Sequence, residues 1–264
     1  MRLKDAVCVV TGGTGTMGSE IGASLGKQGA RVVSWDLGSS GPQLVHCDVS
    51  DAASVAAAFP ETVHSYGTPT VLVNAAGVSG GRAPWAADAS DEDWRFVLSA
   101  EEAWRTAFEV HVLGVVNTSR EFARNIKNTG AAGAIVNMTS VCGGSSFNDP
   151  ALAALSATKA AANSVTRTAA MNFGPLGIRV NAVAPGVMET RVKVPGVSEE
   201  AASGRTDPAE RMERVKRWTP VGNRLAKSSD VADAVLALLL SDFVTGQVVV
   251  VDGGLSLRSL TKSA

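Results

Sequence analysis

Ser140, Lys159 and His111, in this 264-residue chain, are of residue types that can handle a substrate oxygen and its proton. Ser140 closes a short apolar run, where a hydroxyl can orient an oxygen atom. Lys159 lies in the long helical pattern that follows, and its ammonium can donate to neighbouring hydroxyls. His111 lies in an earlier helical pattern, and imidazole exchanges protons readily near neutral pH. A lone helix histidine is also commonly a satisfied structural residue, so both readings stand. Leu155 precedes Lys159 by one helical turn, and a hydrocarbon cannot transfer a proton.

A second cluster speaks of phosphate. Residues 11–18 read Thr-Gly-Gly-Thr-Gly-Thr-Met-Gly and lie between an apolar run and a helical pattern. Gly12, Gly15 and Gly18 let the chain turn tightly and approach a pyrophosphate, with Thr16 and Met17 at the helix start. Asp36 ends the next run, 18 residues after Gly18. A carboxylate there accepts hydrogen bonds from a ribose 2′-hydroxyl and repels a 2′-phosphate, which favours NAD over NADP. Asp36 also reads as the start of the turn before Gly38-Ser39-Ser40.

These residues need a frame. Candidate strands are Ala6–Val10, Arg31–Trp35, Leu44–Cys47, Val71–Val73, Ala134–Met138, Arg179–Ala184 and Gln247–Val251. Most are continuously apolar, as in strands covered on both faces. Helical patterns alternate with them at Met17–Gln28, Ala52–Ser65, Asp91–Ile126, Leu152–Phe173 and Ser229–Leu240. This alternation predicts an α/β fold, a doubly wound parallel seven-stranded sheet of the Rossmann type, in one domain spanning 1–264. Two stretches break the rhythm, Ser79–Glu102 and Val187–Asn223; the second reads as an irregular, charged, proline-containing loop.

The layout resembles the short-chain dehydrogenase/reductase family, in which a serine ends one strand and Tyr-x-x-x-Lys opens the next helix. Ser140 and Lys159 match that pattern, Leu155 stands at the tyrosine, and His111 stands at the asparagine of the long middle helix. The family's main group places a glycine where this chain has Thr16. The resemblance implies further cofactor contacts: Asp48 and Val49 on the adenine side, Asn74-Ala75-Ala76-Gly77 against the adenosine half, and Pro185, Gly186 and Thr190 around the nicotinamide carboxamide. Lys159 would hold the ribose as well. Asp48 equally reads as the N-cap of an Asp51–Ala58 helix. Cys142, Asn148, Asp149 and Glu189 are candidate pocket residues, and Tyr66 reads as packing. The 187–223 segment corresponds to the family's substrate-covering loop.

Composition narrows the rest. A net charge of -1, from 24 basic and 25 acidic residues, gives no footprint for nucleic acid or an anionic membrane. No apolar run is long enough to span a bilayer. Three scattered cysteines and three scattered histidines lack metal-ligand spacing and fit a reduced, cytoplasmic protein with no metal. The expected activity is hydride transfer between NAD(H) and a small carbonyl, alcohol, enone or quinone, without tyrosine acid–base chemistry. An NAD-binding sensor or partner subunit, or a dehydratase or lyase using His111, are the alternatives. The resemblance also implies a homo-oligomer, a tetramer or dimer.

Overall fold

The computed structural model describes residues 2–38, 43–78, 101–144, 152–189 and 208–257. Seven strands form one sheet: β1 Val7–Thr11, β2 Arg31–Asp36, β3 Leu44–His46, β4 Pro69–Asn74, β5 Gly133–Met138, β6 Ile178–Pro185 and β7 Val248–Val251. Their order is β3-β2-β1-β4-β5-β6-β7, and each neighbouring pair runs parallel. The order reverses between β1 and β4, which opens a crevice at the carboxyl ends of those strands.

Helices cover both faces: α1 Thr16–Lys27, α2 Ala52–Tyr66, α3 Glu101–Phe108, α4 Gly114–Thr129, α5 Ala153–Phe173, α6 Pro208–Trp218 and α7 Ser228–Leu240. Successive strand residues feed two separate cores, as the two-residue period of a strand requires. Val7, Val9, Leu72 and Ile135 pack with Val55 and Phe59 of α2, Phe122 and Ile126 of α4, and Ala169 of α5. Cys8, Val10, Val71, Val73 and Val136 pack on the other face with Ile21 and Leu25 of α1 and Val231, Val235 and Leu239 of α7. This two-sided burial explains why the strands read as continuous apolar runs. Trp35 anchors the first core edge-on to Phe59, with ring centroids 4.8 Å apart, and its indole N–H donates to Thr62 at 2.9 Å.

Three sequence expectations change. The Asp91–Ile126 helix, described from Glu101 onward, is broken by a π-helical turn, Glu109–Leu113, and runs on to Thr129. In that turn the Gly114 N–H donates to Glu109 carbonyl, five residues back. Within Val187–Asn223, Pro208–Trp218 is helical rather than irregular, and it buries Val215 against Leu225, Leu255 and Val187. Its high charge hid the apolar contact made by Val215. Third, the N-cap of α2 is Asp51, whose side chain accepts from the Ala53 N–H at 2.9 Å, and not Asp48. Asp48 closes a tighter turn just upstream, accepting from the Ser50 N–H at 2.9 Å.

Candidate active site

The crevice is floored by the turn after β1. Gly12 has φ +63°, and a Cβ there would lie 2.8 Å from the Ala76 Cα, so the Ala75–Gly77 segment after β4 packs directly on it. Thr11 holds the two segments together, its hydroxyl accepting from the Ala75 and Ala76 N–H groups at 3.1 Å each. Gly18 is forced by contact as well, since a Cβ would fall 2.2 Å from the Gly12 carbonyl oxygen. Gly15 is the N-cap of α1 and makes no side-chain cap, and the first turn, which holds Thr16 and Met17, contains no acidic residue. Among the described residues no side chain caps these first N–H groups, so they and the positive end of the helix dipole stay available at the start of α1.

Asp36 stands at the carboxyl end of β2, next to this turn. Its Oδ2 accepts from the Thr14 N–H at 2.9 Å and the Thr14 hydroxyl at 2.6 Å, and its Oδ1 accepts from the Leu37 N–H at 2.8 Å. Partial burial works against ionisation, but these hydrogen bonds outweigh it and hold the carboxyl below its ordinary range. Thr14 carried no sequence signal as a partner of Asp36. Val49 is buried, and its carbonyl accepts from Asn117 at 3.1 Å.

Asn74 turns its side chain away from the crevice and into the core. It donates to Asn137 Oδ1 at 2.8 Å, and the Thr118 hydroxyl lies 2.8 Å from its own Oδ1. Asn137 in turn donates to the Thr166 hydroxyl at 2.9 Å. This network ties β4, β5, α4 and α5 together behind the site. Any contribution of Asn74 to a ligand is thus through the Ala75–Gly77 backbone that it positions.

Ser140 follows the carboxyl end of β5, Lys159 of α5 reaches that strand end, and His111 bonds to Thr158, the neighbour of Lys159 on α5. Ser140 caps a short 3₁₀ turn, its Oγ accepting from the Cys142 N–H at 3.2 Å. Lys159 is 8% exposed and donates to the carbonyl of Met138, two residues before Ser140, at 2.8 Å. Burial lowers its pKa from 10.5 to about 8. His111 is 2% exposed, between the Ala75–Val78 segment and α5. Its Nε2 accepts from the Val78 N–H at 3.1 Å, and its Nδ1 lies 3.0 Å from the Thr158 hydroxyl. Thr158 spends its hydrogen on the Ala154 carbonyl at 2.8 Å, so Nδ1 carries the imidazole proton and donates it to Thr158. Burial, with the Lys159 charge behind it, drives the His111 pKa down to about 3. Leu155 is half-buried, one turn before Lys159 on α5.

Pro185 ends β6, and Gly186 follows it where a Cβ would lie 2.7 Å from that of Asp252. Thr190, Asn148 and Asp149 lie outside the described residues. Glu189 is exposed. Tyr66 closes α2 just before β4 begins, at the amino edge of the sheet and opposite Ser140, and packs on the first core. Cys8, Cys47 and Cys142 are buried and outside any disulfide, and burial pushes Cys8 and Cys47 up to about 12. Among the described residues no cluster of three metal-ligating side chains occurs, and no helix is long and apolar enough to cross a membrane.

Known proteins resemble this chain in sequence and fold. A protein-family model described as enoyl-(acyl carrier protein) reductase matches residues 13–256. Cis-4-hydroxycyclohexanecarboxylate dehydrogenase of Sinomonas cyclohexanicum is 33% identical over 266 residues, covering 95% of this chain and 96% of that protein. An uncharacterized short-chain type dehydrogenase/reductase of Sinorhizobium fredii is 31% identical, covering 98% of this chain and all of its own length (100%). Among solved structures, 3-ketoacyl-(acyl-carrier-protein) reductase from Brucella melitensis, complexed with NADH, superposes with a TM-score of 0.77 at 28% identity, covering 96% of this chain and 99% of that one. With the sheet order and the glycine-rich turn, these matches establish that the chain is an oxidoreductase belonging to the short-chain dehydrogenase/reductase family.

Proposed function

We propose that the chain transfers a hydride between NAD(H) and a small alcohol, ketone, enone or quinone without a tyrosine acid–base. The observation that carries this reading is the buried Lys159 ammonium bonded to the backbone at the end of β5, two residues before Ser140, in a fold whose glycine-rich turn leaves the start of α1 uncapped. The relatives support it, since one is a dehydrogenase of a hydroxycyclohexane acid and another is a ketoacyl reductase seen with NADH.

The residues present fit a dinucleotide. The free N–H groups at the start of α1 suit a pyrophosphate, and Asp36 suits a ribose diol. Lys159 has three donors and gives one to Met138, which leaves two for ribose hydroxyls. Pro185, Gly186 and Thr190 would flank the carboxamide, with Asp48, Val49 and Asn74–Gly77 along the adenosine side. When bound, the nicotinamide would supply or accept the hydride. Ser140 would orient the substrate oxygen, its hydroxyl donating as negative charge grows there, and the Lys159 ammonium beneath it would stabilise that charge. Leu155, a hydrocarbon, adds no proton.

His111 is better read as a positioning residue than as a proton relay. Both ring nitrogens are engaged, and protonation would break the bond from Val78 and place a second cation beside Lys159. Water then supplies the proton, and an acceptor such as a quinone or enone, which spreads negative charge itself, demands least of it. The same argument weighs against a lyase that uses His111 as base.

The reading includes a cytoplasmic homotetramer, one domain over 1–264 with 187–223 covering the substrate. Exposed Phe108, Leu113 and Val116 on the middle helices, and Val249 and Val250 on the edge strand β7, are apolar surfaces that copies of the chain would bury. The test is a screen with NADH across ketones, quinones and enones, beside calorimetric binding of NADH. Turnover of at least one class supports the reading. Binding without hydride transfer to any of them refutes it.

A further inference from the structure

Asn163 lies on α5 one turn after Lys159 and is 7% exposed. Its amide N–H donates to the Gly143 carbonyl at 3.1 Å, which fixes how the amide is turned, since the reverse would set two oxygens together. Its Oδ1 is buried, and among the described residues no donor reaches it. A buried acceptor without a donor is costly, and an ordered water is the usual remedy. Gly143 belongs to the 3₁₀ turn that Ser140 opens. Its N–H donates to the Ser140 carbonyl at 2.9 Å, and a Cβ on it would lie 2.7 Å from the Lys159 carbonyl carbon. The Ser140 turn is thus pressed onto α5 at Lys159 and gripped by Asn163. Beside it lies a cavity of about 70 Å³, whose lining includes Ser140, Asn163, Ala184 of β6, Val248 and Val250 of β7, and Ser256.

We propose that this cavity holds the water that returns a proton to Ser140 during hydride transfer, with Asn163 as the positioning residue that orients it. The proposal rests on the hydride-transfer reading and names the route by which solvent takes the place of a tyrosine. A serine hydroxyl has one hydrogen and two lone pairs. The substrate oxygen takes the hydrogen, and one lone pair accepts from the Cys142 N–H at 3.2 Å. The second lone pair accepts from a water whose other hydrogen goes to Asn163 Oδ1. The cavity exceeds the roughly 30 Å³ that one water occupies, so it admits this water and a path for its exchange. In reduction the hydride goes to the carbon and the Ser140 hydrogen to the substrate oxygen. A water hydrogen moves to Ser140 Oγ, and solvent returns a proton to the water. Ser256 is partly exposed and Val250 of the edge strand is exposed, so the exchange path runs out along the edge of the sheet.

Two variants part the water from the scaffold. Ala184→Val places two further methyl groups in the cavity and leaves the Asn163–Gly143 bond intact, whereas Asn163→Leu removes the acceptor. Val248→Ile, which fills the cavity from β7, takes the place of Ala184→Val should that protein not fold. A high-resolution crystal structure of the natural chain shows a water within about 3 Å of both Ser140 Oγ and Asn163 Oδ1, and the variants lack it. NADH dissociation constants from calorimetry are the same in all of them. With a ketone or other carbonyl compound that the natural chain reduces, the single-turnover rate of NADH oxidation falls about 10²-fold in both variants. A merely structural role for Asn163 gives that loss in Asn163→Leu and none in Ala184→Val. A cavity without the bridging water, or a folded cavity-filling variant with an unchanged rate, overturns the proposal and leaves the hydride-transfer reading intact. Absence of hydride transfer by the natural chain overturns both, and it is read before any variant is compared.

Discussion

Replacing Lys159 with methionine tests the electrostatics of the site without any substrate. Lys159 is 8% exposed, its hydrogen-bond partner is the neutral Met138 carbonyl, and among the described residues no carboxylate is paired with it. Burial therefore lowers its pKa from 10.5 to about 8. A depressed amine pKa means that the unfolded chain binds the proton more tightly than the folded one. Below pH 8 both states carry the charge and folding bears the full cost of burying it. Between pH 8 and 10.5 the folded state gives up its proton first, so stability rises with pH. At about 1.4 kcal/mol per pKa unit, the natural chain gains roughly 3 kcal/mol relative to Lys159→Met across that window. At about 2–4 °C per kcal/mol for chains near this size, the difference in Tm between the two proteins shifts by roughly 6–12 °C. The assay is thermal unfolding of both proteins from pH 7 to 10.5, each at the same subunit concentration. Taking the difference cancels groups that titrate in both. A difference flat across that range would show that the ammonium is hydrated, and the reasoning about the site's dryness would fail.

Protonating His111 runs the same logic at acid pH: stability of the natural chain falls relative to His111→Gln as pH drops below 6.5 toward 3, by up to about 1.4 kcal/mol per pH unit, and parallel curves in acid denaturation would contradict the burial of that ring. Phe122 is fully buried against Gly133 and the first core, so Phe122→Ala costs about 3–5 kcal/mol in denaturant unfolding; a cost under about 1 kcal/mol would mean the core is not packed as described. With Lys159 one turn further along α5, Leu155→Tyr raises kcat on simple secondary alcohols by about 10² to 10⁴, read by NADH absorbance, and a folded variant with no gain would mean the pocket around that residue is rebuilt as well.

Much of this was legible in the sequence because local chemistry demanded it. Gly12 and Gly18 have no alternative where a Cβ would strike Ala76 or Gly12 itself. Apolar runs such as 71–73 and 134–138 follow from two-sided burial. Lys159 reaches the Met138 carbonyl because α5 packs beside the end of β5. Other features arise only in three dimensions. Thr14 meets Asp36 because β1 and β2 are adjacent and parallel, and nothing between the two residues encodes that contact. The partners of His111 come from the segment after β4 and from α5, so its spacing alone could not say whether the ring was engaged. The π turn at Glu109–Leu113 has no composition of its own, and α6 hides the apolar contact made by Val215 among charged residues.

The central claim is hydride transfer by a site whose tyrosine position holds leucine. Its most direct test uses NADH deuterated at the nicotinamide C4 with the natural chain and a panel of quinones, enones and ketones, and reads the product by mass spectrometry. Deuterium on the reduced carbon, lost on Lys159→Met and Ser140→Ala but kept on His111→Gln, is the predicted result. Label-free product, or no product from a protein that binds NADH, would contradict the account.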